Sequence, residues 1–172
     1  MLFRSGGAIL TCDSRLAATA KHLTTTAKLS HPWEFNHDAV AWNYRMPNLN
    51  AALGCAQLEH LPDMLARKRQ LAERYKVAFA DIDGVRFLSQ PSHCSSNYWL
   101  NAILLETPDL VIRNTLLTTL NAAGLMARPA WTLLNKLPMY VDNPTAALPN
   151  AERIEATLIN IPSSACLAEV TN

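Results

Sequence analysis

Apolar residues recur at helical spacing most clearly along residues 63–80. Leu65, Leu71, Ala72, Tyr75, Ala78 and Phe79 form one stripe, and Arg67, Lys68, Arg69, Glu73 and Arg74 cover the opposite side. That is a helix with one buried face. Ahead of it Leu49, Ala52, Leu53, Ala56 and Leu58 keep the same period behind a cap at Asn48 or Asn50. Pro62 interrupts that helix or opens the second one at its first turn. Asp13 or Ser14 can cap a helix over residues 15–23, with Leu16, Ala20 and Leu23 on one face. Pro108 and Asp109 open another, running to about Ala123 and closed by Gly124. A last helix is predicted near residues 150–158. Short apolar runs predict strands at residues 7–11, 85–88, 97–105 and 125–128, with a turn at Asp83-Gly84.

From Gly84 onward the order is strand, strand, helix, strand, helix, which suits a small α+β domain with helices on a sheet. The stretch before Asn48 holds one strand and one helix. Those two elements can build neither a sheet nor a core, so the stretch reads as the end of something larger.

Composition narrows the class. With 49% hydrophobic and 17% charged residues, the chain is an ordinary soluble domain rather than a disordered or fibrous one. Its 172 residues allow one domain, or one and a part. The formal charge of +1 removes the bulk electrostatic argument for nucleic acid or an anionic membrane as partner. The best apolar run, residues 98–105, is too short to span a bilayer and carries Asn101. Cys12, Cys55, Cys94 and Cys166 form no CxxC pair, and no secretory signal is read at the start. The expectation is reduced thiols in a cytoplasmic protein.

Several clusters could carry chemistry. His31, Glu34 and His37 would hold a metal only if the loop folded them together, and packing of Trp33 and Phe35 explains the segment as well. Cys94 adjoins His93, but neighbours on an extended chain point to opposite faces. A buried lysine could form a Schiff base with an aldehyde cofactor; Lys21 reads as a solvated helix lysine, and Lys28, the one suggestive candidate, reads more simply as an exposed loop lysine. Gly6-Gly7 could let backbone approach a phosphate. Asn43-Tyr44-Arg45, just before a helix start, could form an anion site. Alternatively, Arg45 pairs with Asp38 or Glu34 and Asn43 caps a turn.

Gly6-Gly7-Ala8-Ile9-Leu10-Thr11, Ala41-Trp42-Asn43-Tyr44-Arg45-Met46 and Ala51-Ala52-Leu53-Gly54-Cys55-Ala56-Gln57-Leu58 together resemble the second half of the DegT/DnrJ/EryC1/StrS family of pyridoxal-phosphate-dependent sugar aminotransferases. His22-Leu23-Thr24-Thr25-Thr26-Ala27-Lys28, His31-Pro32-Trp33-Glu34-Phe35 and His37-Asp38 are similar to its LegC-type branch. So are residues 131–140 and 159–164.

The resemblance implies an α/β fold, a fragment of a fold-type I aminotransferase. Residues 1–60 would be the tail of the large cofactor domain, and residues 61–172 the small C-terminal α+β domain. It implies a homodimer with shared active sites. The reaction would move an amino group, usually from glutamate, to a nucleotide-linked 4-keto-6-deoxy (N-acetyl) sugar. The products would feed nonulosonic acids or surface polysaccharides.

Carried over by position, Asn43 matches the asparagine that reaches the cofactor phosphate of the neighbouring subunit, and Arg45 would help hold the cofactor or nucleotide. His31, Trp33, Tyr44, Arg128 and Trp131 would border the sugar-nucleotide cleft, or simply pack. The family's tethering lysine precedes the glycines matched by Gly6-Gly7. Residues 1–5 hold no lysine, so the chain alone is expected to be inactive. Leu2-Phe3-Arg4-Ser5 departs from the family pattern and looks like a translated sequencing adapter fused in frame to a broken gene. The fragment reading also leaves the apolar face of residues 63–80 and the strand at 7–11 without partners. The other class of reading is a non-catalytic module that binds a nucleotide sugar or complements a complete aminotransferase.

Overall fold

A computed structural model describes residues 6–169. The expectations placed on residues 1–5 lie outside the described residues. The chain divides into two compact units between Leu61 and Pro62.

In unit 1, helix α1 (Ser14–Thr24) starts where the Asp13 carboxylate accepts the backbone N–H groups of Arg15 and Leu16. This satisfies donors that a helix start leaves bare. Helix α2 (Asn48–Glu59) follows Pro47, whose fixed φ ends the extended chain before it. No residue of α1 is buried, and Gly54 is the buried residue of α2.

The strand expected at residues 7–11 does not form. Ile9 and Leu10 are exposed, and none of these residues pairs in a ladder. An apolar run becomes a strand only when a neighbour takes its N–H and C=O groups, and the described part of unit 1 offers none.

Unit 2 is built on a four-stranded antiparallel sheet of order β1-β2-β4-β3. Its strands are β1 (Val85–Phe87), β2 (Asn101–Leu105), β3 (Arg128–Pro129) and β4 (Leu158–Ile161). Helices α3 (Leu61–Ala78), α4 (Leu110–Ala122) and α5 (Pro149–Thr157) complete it. Ile103 pairs with Phe87 on one side and Ile159 on the other. These three join Ala72, Ala127 and Ile161 in the core, with Tyr75, Phe79, Leu117 and Leu120 packed against them. The apolar face of α3 is therefore covered inside its own unit, contrary to the expectation of an unpartnered face.

All five residues of β2 are buried, so both faces of that strand are covered. The sequence reading placed the strand at residues 97–105. It begins later because Tyr98 sits at φ 44°, outside strand geometry. The strand expected at 125–128 shrinks to Arg128–Pro129 at the sheet edge, where proline's missing N–H costs nothing. Strand β4 was not anticipated. It follows α5 directly at Thr157–Leu158, with no glycine or proline to mark the change.

Candidate functional site

The end of α1 and residues 42–45 form one hydrogen-bonded assembly in unit 1. A helix leaves its last carbonyls without partners. Here each finds one. The Thr24 hydroxyl donates to Ala20 O (2.7 Å) and the Thr25 hydroxyl to Lys21 O (2.6 Å). Ala27 N–H donates to His22 O, Trp42 N–H to Leu23 O and Tyr44 N–H to Thr24 O. Thr26 N–H in turn donates to Trp42 O. The threonine run thus terminates the helix and fastens the 42–45 segment to it.

The chain reverses at Thr26 and Ala27, whose φ values are 73° and 49°. Two successive non-glycine residues in this region store strain, which persists only where surrounding contacts dictate it. Ala27 is fully buried. Asp38 N–H donates to Ala27 O. His37 Nδ1 sits 2.7 Å from Thr26 O, and His22 Nε2 lies 2.6 Å from an Asp38 carboxylate oxygen.

This assembly fixes Asn43. Arg45 donates from one terminal nitrogen to Asn43 Oδ1 (3.1 Å) and from the other to Thr25 O (3.0 Å). Arg45 does not pair with Asp38 or Glu34, which sets that part of the alternative aside, while the Arg45 backbone N–H reaches Asn43 Oδ1 at 3.5 Å, the turn-capping contact that the alternative expected. With its oxygen held, the Asn43 amide presents its NH2 group. The indole of Trp42 and the phenol of Tyr44 stack nearly parallel, 6.2 Å apart.

A cleft of about 740 Å³ opens beside this assembly, within the range of small-molecule sites. Asn43, Tyr44 and Arg45 line it together with Gly6, Gly7 and a face of α1. That face is Ala17, Ala20, Lys21 and Thr24, one helical stripe. The described lining carries two cations and no carboxylate. Amide, ammonium and bare glycine backbone together make a donor set that suits a phosphate group. Lys21 belongs to this wall, where sequence reading had it merely solvated. The small-residue spacing of Ala17 and Ala20 beside it was the available signal.

The remaining candidates lie elsewhere. His31 Nδ1 accepts the Glu34 N–H at 3.0 Å, and its ring meets Trp33 edge-on at 5.0 Å. Both side chains are turned to their own exposed loop and are not part of the cleft wall. His31, Glu34 and His37 do not converge, and no trio of potential metal ligands exists among the described residues. Lys28 Nζ stands 3.9 Å over the Phe35 ring, a cation–π contact. Arg128 and Trp131 are exposed in unit 2.

A sequence profile of the DegT/DnrJ/EryC1/StrS aminotransferase family matches residues 1–171. The chain belongs to this family. It is 35% identical over 128 residues to GDP-perosamine synthase of Vibrio cholerae, covering 74% of this chain and 35% of that protein. The GDP-perosamine synthase of Escherichia coli O157:H7 is 31% identical over 158 residues, covering 92% and 42%. Among solved structures, PseC of Helicobacter pylori, an aminotransferase involved in the biosynthesis of pseudaminic acid, matches with a TM-score of 0.82 at 24% identity. That match covers 90% of this chain and 42% of PseC, and establishes the fold. The family fold is thus present over nearly the whole chain, which spans less than half the length of these relatives. Among the described residues no helix is long and apolar enough to cross a membrane.

Proposed function

We propose that the chain is the C-terminal part of a pyridoxal-phosphate-dependent sugar aminotransferase of the LegC-type branch. Its substrate is a nucleotide-linked 4-keto-6-deoxy (N-acetyl) sugar, and its product a 4-amino sugar for nonulosonic acid or surface polysaccharide. Glutamate is the amino donor, and the protein works in the cytoplasm. Unit 1 is the tail of the cofactor domain and unit 2 the small C-terminal domain. The observation that carries the reading is the unit 1 cleft, where Asn43 offers an unshared amide beside Lys21 and no carboxylate lines the wall.

Pyridoxal phosphate, when bound, supplies the electron-withdrawing ring on which an amino group is exchanged. The chain's part is to hold it. Asn43 donates its amide to the phosphate, Arg45 keeps that amide oriented, and Tyr44 lines the same cleft. His31 and Trp33 in unit 1, and separately Arg128 and Trp131 in unit 2, are assigned to the sugar nucleotide by the resemblance alone, none of them lining the cleft. The cleft serves a site shared between the subunits of a homodimer. Lys28, which stands over the Phe35 ring, follows Gly6-Gly7 rather than preceding them and so does not match the position of the family's tether.

The test is complementation. Alone, with the ketosugar nucleotide, glutamate and pyridoxal phosphate, the chain should release no 2-oxoglutarate. Joined to the N-terminal part of a full-length family member, it should restore release, and Asn43→Ala should cut the rate at least tenfold. A joined protein that is folded yet inert on every 4-ketosugar nucleotide would defeat the reading and favour the binding-module alternative.

A further inference from the structure

We infer that Lys21 supplies an ammonium contact for a phosphate group in the unit 1 cleft, beside the Asn43 amide that Arg45 holds in place. The inference rests on the reading of this cleft as a phosphate site.

Arginine is the usual choice for phosphate because its planar fork can donate two parallel bonds. Here two of the five N–H groups are already committed within the chain. Both terminal nitrogens of Arg45 already donate within the chain, one to Asn43 Oδ1 and one to Thr25 O. Withdrawing them would release the amide and uncap the strained turn. Arg45 is therefore a positioning residue.

Lys21 is in the opposite condition. It lies on the cleft wall of α1, flanked by Ala17 and Ala20, which are too short to cover it. Its ammonium has three donors and no hydrogen bond or ion pair among the described residues. The C-terminal end of a helix carries negative partial charge, which disfavours an anion. At α1 the carbonyls of Ala20, Lys21, His22 and Leu23 are each occupied by a hydroxyl or an N–H. What remains of that field is offset by Lys21 itself, in the last turn. A phosphate entering beside Asn43 then meets an amide donor and an ammonium, with no carboxylate in the described wall.

The phosphate could come from the cofactor or from the diphosphate of a sugar nucleotide. Three probes separate these sources: pyridoxamine 5′-phosphate, UDP and inorganic phosphate, each titrated calorimetrically into the 172-residue chain. The amine form of the cofactor is chosen because it cannot bond covalently to a lysine. The variants are Lys21→Gln and Lys21→Arg, both good helix formers at an exposed position.

Loss of a charge-assisted contact should weaken pyridoxamine 5′-phosphate about tenfold in Lys21→Gln, and Lys21→Arg should restore most of it. The same Lys21 dependence with UDP or inorganic phosphate, and no extra affinity for pyridoxamine 5′-phosphate, would uphold the inference while removing the cofactor reading. Equal affinity of wild type and Lys21→Gln for pyridoxamine 5′-phosphate would overturn the inference and leave that reading standing. Failure of all three probes to bind at about 10 mM would overturn it as well.

Discussion

In unit 2, Ile159 is fully buried between two neighbouring strands, in a core that Ala72 of α3 and Leu117 and Leu120 of α4 complete. In unit 1, Ala27 alone among the described hydrophobic residues is buried, while Ile9, Leu10, Trp33, Phe35 and Leu49 face solvent. Unit 2 is held by side-chain packing. Unit 1 is held by backbone carbonyls, threonine hydroxyls and one arginine, gathered around a strained turn. The difference teaches where function can reside. A packed core resists rearrangement, whereas a polar assembly with exposed donors keeps groups such as Asn43 and Lys21 available for a ligand.

The comparison can be broken first in unit 2. Ile159→Ala should cost about 3–4 kcal/mol by removing buried methylenes and leaving a cavity. Peptide-resolved hydrogen exchange should show β2 and β4 losing protection while residues 20–45 keep theirs. Loss of protection in both units together would mean that they share one cooperative core.

Unit 1 should yield to backbone change instead. Ala27→Val places a β-branched residue at φ 49° with no room around it, and should cost about 2–3 kcal/mol. Ala27→Gly should be neutral or slightly stabilising, since glycine adopts that φ freely. Exchange at Trp42 and Tyr44 reads both. Equal tolerance of valine and glycine would contradict the strain argument.

A smaller effect sharpens the picture of the unit 2 core. The Asn101 side chain is buried in β2, and neither its oxygen nor its nitrogen has a partner among the described residues. An unmatched buried amide is costly. Asn101→Val should therefore raise stability by about 1 kcal/mol in urea unfolding. Its backbone N–H, which donates to Ser163 Oγ at 2.7 Å, is unaffected.

The smallest effect is electrostatic. Glu155 is held below its ordinary value of 4.5 mainly by the hydrogen bond from Lys136, aided by the Leu133 N–H. The carboxylate's contribution is full above about pH 4.5 and is lost as pH falls through the lower folded value. Glu155→Gln should lower the stability of unit 2 slightly at neutral pH and flatten that acid limb, the gap from wild type closing as pH falls through the folded value. An unchanged acid limb would show that the pair contributes nothing.

The helices were legible because their punctuation is local. Asp13 and Asp109 cap through their own carboxylates. Gly84 and Gly124 take the left-handed φ values, 79° and 77°, that turns and helix ends demand. Strands were less legible, since a strand depends on a neighbour distant in sequence. Residues 7–11 have the composition without the neighbour, and β4 has the neighbours but begins inside what reads as a helix end. At the cleft, Asn43 and Arg45 could be picked out as an anion-binding pair. The hydrogen bond that commits Arg45 to Asn43 could not, because it depends on the turn at Thr26 and Ala27. Lys21 was passed over because a lone lysine on a helix carries no signal until the chain opposite it is placed.

The central claim is that this chain holds a phosphate-bearing cofactor without tethering it. Incubation with equimolar pyridoxal phosphate, borohydride reduction and peptide mass mapping tests it directly. The account expects scattered, substoichiometric adducts with no preferred lysine. A one-to-one adduct at a single lysine, Lys21 above all because it lines the cleft, would contradict it.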